Sequence, residues 1–185
     1  MKRMPHRDPA EGDRREKRKG NDSFYYDAIA QGYNELHAQE QERKYQIILA
    51  HLRIGKDERV LDVGCGTGLF FRHLPEKSLG IDPSQALLDL VPKRYAKRVR
   101  QGSAEGLPFP DRSFDVVVSV TALQNAQDPR KAVEEMKRVS KARCKFAITF
   151  LKKSAKRAAL EGLLNKAFPT AQIIEEEKDI IFIVS

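Results

Sequence analysis

The chain has 185 residues, 41% hydrophobic and 32% charged, enough apolar surface for one folded domain and too much for a wholly disordered chain. No apolar run approaches the roughly 20 residues that cross a bilayer, and the first 20 residues lack the apolar stretch of a secretory leader. Two cysteines, Cys65 and Cys144, are too few for a disulfide framework or a four-ligand zinc site, so the formal charge of +8 is expected on a cytoplasmic, metal-free protein and invites a polyanionic partner.

In chain order, residues 1–20 carry eight basic and four acidic side chains with almost nothing apolar, which predicts a basic tail without a core. From Phe24 the pattern changes. Tyr26, Ile29, Ala30, Tyr33, Leu36, Tyr45, Ile48, Leu49 and Leu52 fall near helical spacing, predicting two helices broken around Gly32 and ended by Gly55 as C-cap. These N-terminal helices (21–56) are expected to cap a core at 57–185 within one domain.

Strands and helices then alternate. Strands are expected at Arg59–Val63, Ser78–Ile81, Arg98–Gln101, Phe114–Val120 and Lys145–Leu151. Helices are expected from Leu69 to Leu74, over Ser84–Tyr95, at Pro129–Val139 behind an Asp128 N-cap, and over Ser154–Ala167. Ala171–Glu177 and Asp179–Val184 read as a closing hairpin. FDVVVSV, at Phe114–Val120, is the unbroken β-branched run of a strand buried on both faces. The fold class that follows is α/β: a doubly wound, Rossmann-like sheet with a final antiparallel pair.

Chemistry concentrates in three segments. Val60-Leu61-Asp62-Val63-Gly64-Cys65-Gly66-Thr67-Gly68 runs a strand into a glycine-rich turn, at the strand end where open α/β sheets bind cofactors. Its spacing is GxGxG rather than GxGxxG. Asp62 would repel a pyrophosphate but pair with an ammonium, which points to a cationic, nucleoside-containing cofactor. In Leu79-Gly80-Ile81-Asp82-Pro83-Ser84, Asp82 is placed either to accept ribose hydroxyls or to cap the next helix. The third segment runs from Gln101-Gly102-Ser103-Ala104-Glu105 to Asp115.

Together VLDVGCGTG, GIDPS, GSAEGLPFPDRSFDVVVS and DPRKAVEEMKRV resemble the class I S-adenosylmethionine-dependent methyltransferases, strongly over residues 57–151. The resemblance implies a seven-stranded sheet preceded by N-terminal helices. It also implies S-adenosyl-L-methionine as cofactor, with its methionine part at Asp62, Gly64 and Gly66, its ribose at Asp82, and its adenine along Ser103 and Ala104. Cys65, Pro83, Glu105 and Val120 complete that wall. Relatives often carry Asp where this chain has Ser103. Tyr26 and Tyr33 look like the tyrosines that such enzymes place over the methionine end, with packing against the sheet as the other role. Cys65 reads as a small buried filler rather than a nucleophile.

The acceptor is read from the loop after the fourth strand and from charge. Gln124 and Asn125 offer carbonyl acceptors there, or turn-making contacts instead, and Tyr33 with His37 and Glu40 forms a polar cluster on the N-terminal helices that either faces substrate or is a solvated helix face. The Asn/Asp-Pro-Pro-aromatic signature of many nucleic-acid amino methyltransferases is absent from this loop. SVTALQN nonetheless resembles the matching segment of eukaryotic ribosomal RNA guanine-N7 methyltransferases, which depend on a small zinc-bearing activator protein at the sheet edge. Residues 91–104 hold five basic and no acidic side chains, and residues 136–160 hold nine and none. RNA is the expected partner on that basis, ribosomal RNA or a ribosomal subunit ahead of transfer RNA, with cytosine N4 or a guanine nitrogen as target. A quinone or natural-product precursor is the alternative acceptor.

Overall fold

β-Branched residues buried on both faces make β4 (Phe114–Val120) the spine of the sheet: Val116, Val117 and Val118 are wholly buried. The computed structural model describes residues 39–185; the basic tail, the first N-terminal helix, Tyr26, Tyr33 and His37 lie outside them. The described elements are α1 (residues 39–52), β1 (Val60–Val63), β2 (Leu79–Asp82), α2 (Gln85–Asp89), β3 (Val99–Gln101), β4, α3 (Pro129–Val139), β5 (Ser140–Leu151), α4 (Arg157–Ala167), β6 (Gln172–Glu175) and β7 (Asp179–Val184). Their strand order is β3-β2-β1-β4-β5-β7-β6. The contacts β3–β2, β2–β1, β1–β4 and β4–β5 are parallel, whereas β7 is antiparallel to both β5 and β6. Only β7 therefore runs against the others. This is the Rossmann-like methyltransferase sheet that the motifs imply.

Each face of the sheet has its own core. On one face α1 sets Tyr45, Ile48 and Leu52 against Val60, Phe70, Val116, Val118, Ala147, Ile181 and Ile183, and Tyr45 stacks on Phe70 with ring centroids 4.3 Å apart. On the other, α3 contributes Ala132, Val133, Met136 and Val139, and α4 contributes Leu160 and Leu164. The α3 spacing is that of one helical stripe. Asp128 caps this helix, accepting from Arg130 and Lys131 N–H, with Pro129 in the first turn.

Several element ends differ from the sequence-based expectation, each for a local reason. The α1 helix stops at Leu52, and Arg53, not Gly55, takes the left-handed conformation beyond it (φ 46°). Gly55 instead donates its N–H to Glu58 Oε2 at 2.7 Å. Leu69–His73 is a 3-10 segment rather than an α-helix. α2 is only five residues long, because Pro92 has no N–H to continue it and disfavours helix at the residue before it. At the start of α4, Ser154 Oγ accepts from Lys156 N–H and holds a turn, so the helix begins at Arg157. β5 extends back to Ser140 across a register shift opposite Phe114–Val116.

Candidate functional site

The chain reverses its direction of winding between β1 and β4, and the carboxyl ends of these strands open on a cavity of about 730 Å³. That is the crevice where doubly wound sheets bind ligands, and its volume lies within the roughly 300–1,000 Å³ of small-molecule sites. One wall is the glycine turn after β1. Gly64, Gly66 and Gly68 all have positive φ, at 80°, 52° and 71°. A Cβ on Gly64 would lie 2.2 Å from Cβ of Ala122, so the turns after β1 and β4 touch only because residue 64 lacks a side chain.

Asp82 ties this turn to β2. Its carboxylate accepts from Gly66 N–H at 2.8 Å and from Ser84 N–H at 2.9 Å, and it lines the cavity. The cap of α2 is Ser84, whose hydroxyl accepts from Leu87 N–H. Asp62 lies in a smaller adjoining recess with Gln41, Tyr45, Gly64, Cys65 and Gly66. Burial, with the nearby Asp82 charge second, pushes its carboxyl up to about 7. Two buried acids make this end of the cavity receptive to a cation. Gln41 Oε1, also buried, has no hydrogen-bond partner among the described residues.

The cavity continues along the loop after β3. Ser103, Ala104 and Glu105 line it, and the Ser103 hydroxyl donates to the Glu105 carboxylate. Glu105 also accepts from Gln127 and Asp128 N–H, joining this loop to the start of α3. Burial pushes its carboxyl up, but the Ser103 hydroxyl and the backbone donors outweigh burial and hold it below its ordinary range. The thiol of Cys65 fills the space beside Gly80, where a Cβ would approach Sγ to 2.8 Å, and burial holds that thiol well above its usual range.

The structure thus brings Gly64, Gly66, Asp82, Pro83, Ser103, Ala104, Glu105, Val120 and Asn125 to one cavity, with Asp62 and Cys65 in the recess beside it. Gln124 stands apart. Its Oε1 accepts from Leu151 N–H at 2.7 Å, which fastens the β4 loop to the end of β5, and it lines neither space. Ser119 and Thr121 line the cavity and were not among the expected site residues. Ser119 Oγ is buried without a hydrogen-bond partner among the described residues. Thr121 is held at φ 57°, a conformation that costs a β-branched residue about 1–3 kcal/mol. Both sit within SVTALQN, where a polar residue closing an apolar strand was the available signal. Gln41 carried no such signal on a helix of ordinary composition.

Residues 61–148 match the model of the methyltransferase domain family designated Methyltransf_11. This stretch is a class I S-adenosylmethionine-dependent methyltransferase domain. Over 105 residues the chain is 39% identical to the uncharacterized methyltransferase C1B3.06c of Schizosaccharomyces pombe, covering 48% of this chain and 38% of that protein. Over 136 residues it is 32% identical to the demethylmenaquinone methyltransferase of Paenarthrobacter aurescens, covering 68% of this chain and 53% of that enzyme. The methyltransferase domain described here thus spans about half or less of these curated relatives. Its fold matches, with TM-score 0.69, a chain from the complex of the Haloferax volcanii Trm112 methyltransferase activator and a methyltransferase, at 18% identity over 85% of this chain and 96% of that one. The glycine cradle, the paired acids and the cavity volume fit S-adenosyl-L-methionine, the cofactor of this methyltransferase fold.

Proposed function

We propose that this methyltransferase alkylates a small organic acceptor, of the quinone-precursor or natural-product kind, rather than an RNA base. The observation that carries this reading is what the basic side chains do. Seven of the nine in residues 136–160 are engaged within the fold. Arg138 bonds Glu135, Asp111 and the carbonyls of Leu107 and Phe109. Lys141 pairs with Asp115, Lys145 with Glu58, Lys152 with Glu175 and Arg157 with Glu161. Lys137 reaches Ala167 O, and Lys156 reaches Ala126 O at 2.8 Å on the cavity loop. In the other basic segment, Arg98 is spent on the carbonyls of Pro75 and Ser78 and lies over Phe71. Cations committed to internal partners release few counterions to a nucleic acid, so the charge runs lose most of their weight as an RNA signal. The match to a demethylmenaquinone methyltransferase supports the same acceptor class.

In this reading Asp82 holds the ribose hydroxyls, Asp62 and the Gly64–Gly66 turn hold the methionine end, and Ser103 with Ala104 borders the adenine. Bound there, S-adenosyl-L-methionine supplies an electrophilic methyl group on a sulfonium. The protein's task is then mainly to align the acceptor with that methyl and to exclude water. A small activator protein remains part of the proposal. Among the described residues β3 pairs only with β2, leaving one edge open, and a fold relative is one component of an activator complex. The test is to incubate the protein with methyl-labelled S-adenosyl-L-methionine together with a small-molecule extract and total RNA. Label is expected in an organic-extractable product. Label in RNA instead overturns the proposal.

A further inference from the structure

Lys44 of α1 is buried, its side chain 5% exposed, directly behind the turn that ends β4. Its ammonium donates to Thr121 Oγ1 at 2.9 Å and pairs at 3.0 Å with Asp179 Oδ2, from the first residue of β7. Asp179 is equally buried, and its second oxygen has no partner among the described residues. Thr121 is further fixed by Thr149 of β5: Thr121 N–H bonds the Thr149 hydroxyl at 2.8 Å, and the two hydroxyls lie 3.3 Å apart. Thr121, which lines the cavity, therefore has its hydroxyl met from α1 and β5, with β7 holding the lysine behind it.

This expenditure is poorly explained by stability. A buried ion pair gives little over apolar side chains of the same volume, because both charges must first be stripped of water. Its geometry has a chemical consequence instead. An ammonium only donates, so Thr121 Oγ1 must accept from Lys44. Either hydroxyl of the 3.3 Å pair can donate; with Thr149 as the donor, both lone pairs of Thr121 are occupied and its own proton is left for a ligand. That proton is polarised by the cation behind it, in a site of low dielectric where such a bond is strongest. Residue 121 is itself held in the left-handed region (φ 57°), one residue before the Ala122 that packs on Gly64.

We propose that Thr121 binds the acceptor through its hydroxyl, with Lys44 as the positioning residue behind it, so that the acceptor presents an ionisable oxygen (a phenol, enol or carboxylic acid) to this wall. A donor backed by a cation favours an oxyanion and has nothing to offer a protonated amine. The inference rests on the small-molecule reading and narrows it to one chemical class.

The test uses the full chain saturated with S-adenosylhomocysteine. Binding is measured by calorimetry or ligand-observed magnetic resonance for 2-naphthol, cyclohexane-1,3-dione and benzoate. Their controls are the methyl ether, enol ether and ester, and 2-naphthylamine. At least one oxygen acid should bind ten-fold or more tightly than its methylated partner. Thr121→Val should abolish that preference and Thr121→Ser should keep it. Lys44→Met combined with Asp179→Asn, which removes both charges together, should reduce the preference ten-fold while S-adenosylhomocysteine affinity stays unchanged. Absence of binding by every oxygen acid, equal binding of ethers or amine, or a preference that survives Thr121→Val overturns the proposal. Failure of the underlying reading is separately visible as methyl label in RNA. Small-molecule methylation that persists without an oxygen preference sinks only the role given to Thr121.

Discussion

The two walls of the cavity are built from opposite materials. Around β1 and β2 the wall consists of bare backbone and carboxylates: Gly64, Gly66, Asp62 and Asp82, within a few residues of one another in two short segments. Around β4, β5 and β7 it consists of a hydroxyl supported by a cation, with Lys44, Thr121, Thr149 and Asp179 drawn from across the chain. An acidic, donor-poor wall suits a cationic ligand, and a cation-backed donor suits an anionic one. On the proposed function the first wall serves the cofactor and the second the acceptor.

The largest effect expected from breaking this division comes at the seam. Gly64→Ala should destabilise the fold by about 3 kcal/mol or more, since the new Cβ meets Ala122 at 2.2 Å in a left-handed backbone. Pairing it with Ala122→Gly should recover part of that loss in urea titrations, and equal instability of single and double variants would show that the two turns do not share the contact. On the cofactor wall, Asp82→Ala should weaken S-adenosylhomocysteine by about 100-fold, the scale of one lost charge-assisted hydrogen-bonding group. Unchanged calorimetric affinity would move Asp82 from ligand binding to a purely structural tie on Gly66.

A smaller effect sharpens the role of Asp62. A carboxyl raised to about 7 holds its proton more tightly in the folded chain than in the unfolded one. Its ionisation therefore costs stability progressively from about pH 4 to 7 and adds no further change above that. Pairing with a ligand ammonium requires the ionised form. Affinity for S-adenosylhomocysteine should climb by up to about ten-fold per pH unit below 7 and level off above it. Asp62→Asn should flatten the profile, and a slope that persists in that variant would assign it to another group. Smallest of all, Gln124→Met should cost about 1 kcal/mol of stability through the lost bond to Leu151 N–H, with cofactor affinity unchanged. A selective loss of methyl transfer at constant stability would return Gln124 to the reacting centre.

The same division explains what could be read from the chain before its structure was known. Phe114–Val120 and the Asp128–Pro129 helix start were legible to the residue, because hydrophobic run, cap and proline act over a few positions. The glycine turn and Asp82 were legible for the same reason. Gln124 was misplaced because its partner, Leu151, becomes a neighbour only once β4 and β5 pair. Lys44 and Asp179 left no trace for an equivalent reason. The basic runs read differently for a related reason: Arg138 and Lys145 look like a free surface field in one dimension and are partly buried partners of Glu135 and Glu58 in three. The start of β5 was missed because Lys141 and Arg143 obscure the alternation of a strand that is buried only from Cys144 onward.

Cys65 and Gly80 give the seam a counterpart on the far side of the glycine turn. The sulfur of one occupies the room that a side chain on the other would need. The Phe71 ring closes the same point from a third side, 2.9 Å from where a Cβ on residue 80 would stand. Shrinking residue 65 alone therefore does not admit a side chain at 80; the strand stays bare there unless the turn and the ring both give way. Burial of the Cys65 thiol against β2 also raises its pKa, which disfavours the thiolate that an oxidant or alkylating group would attack.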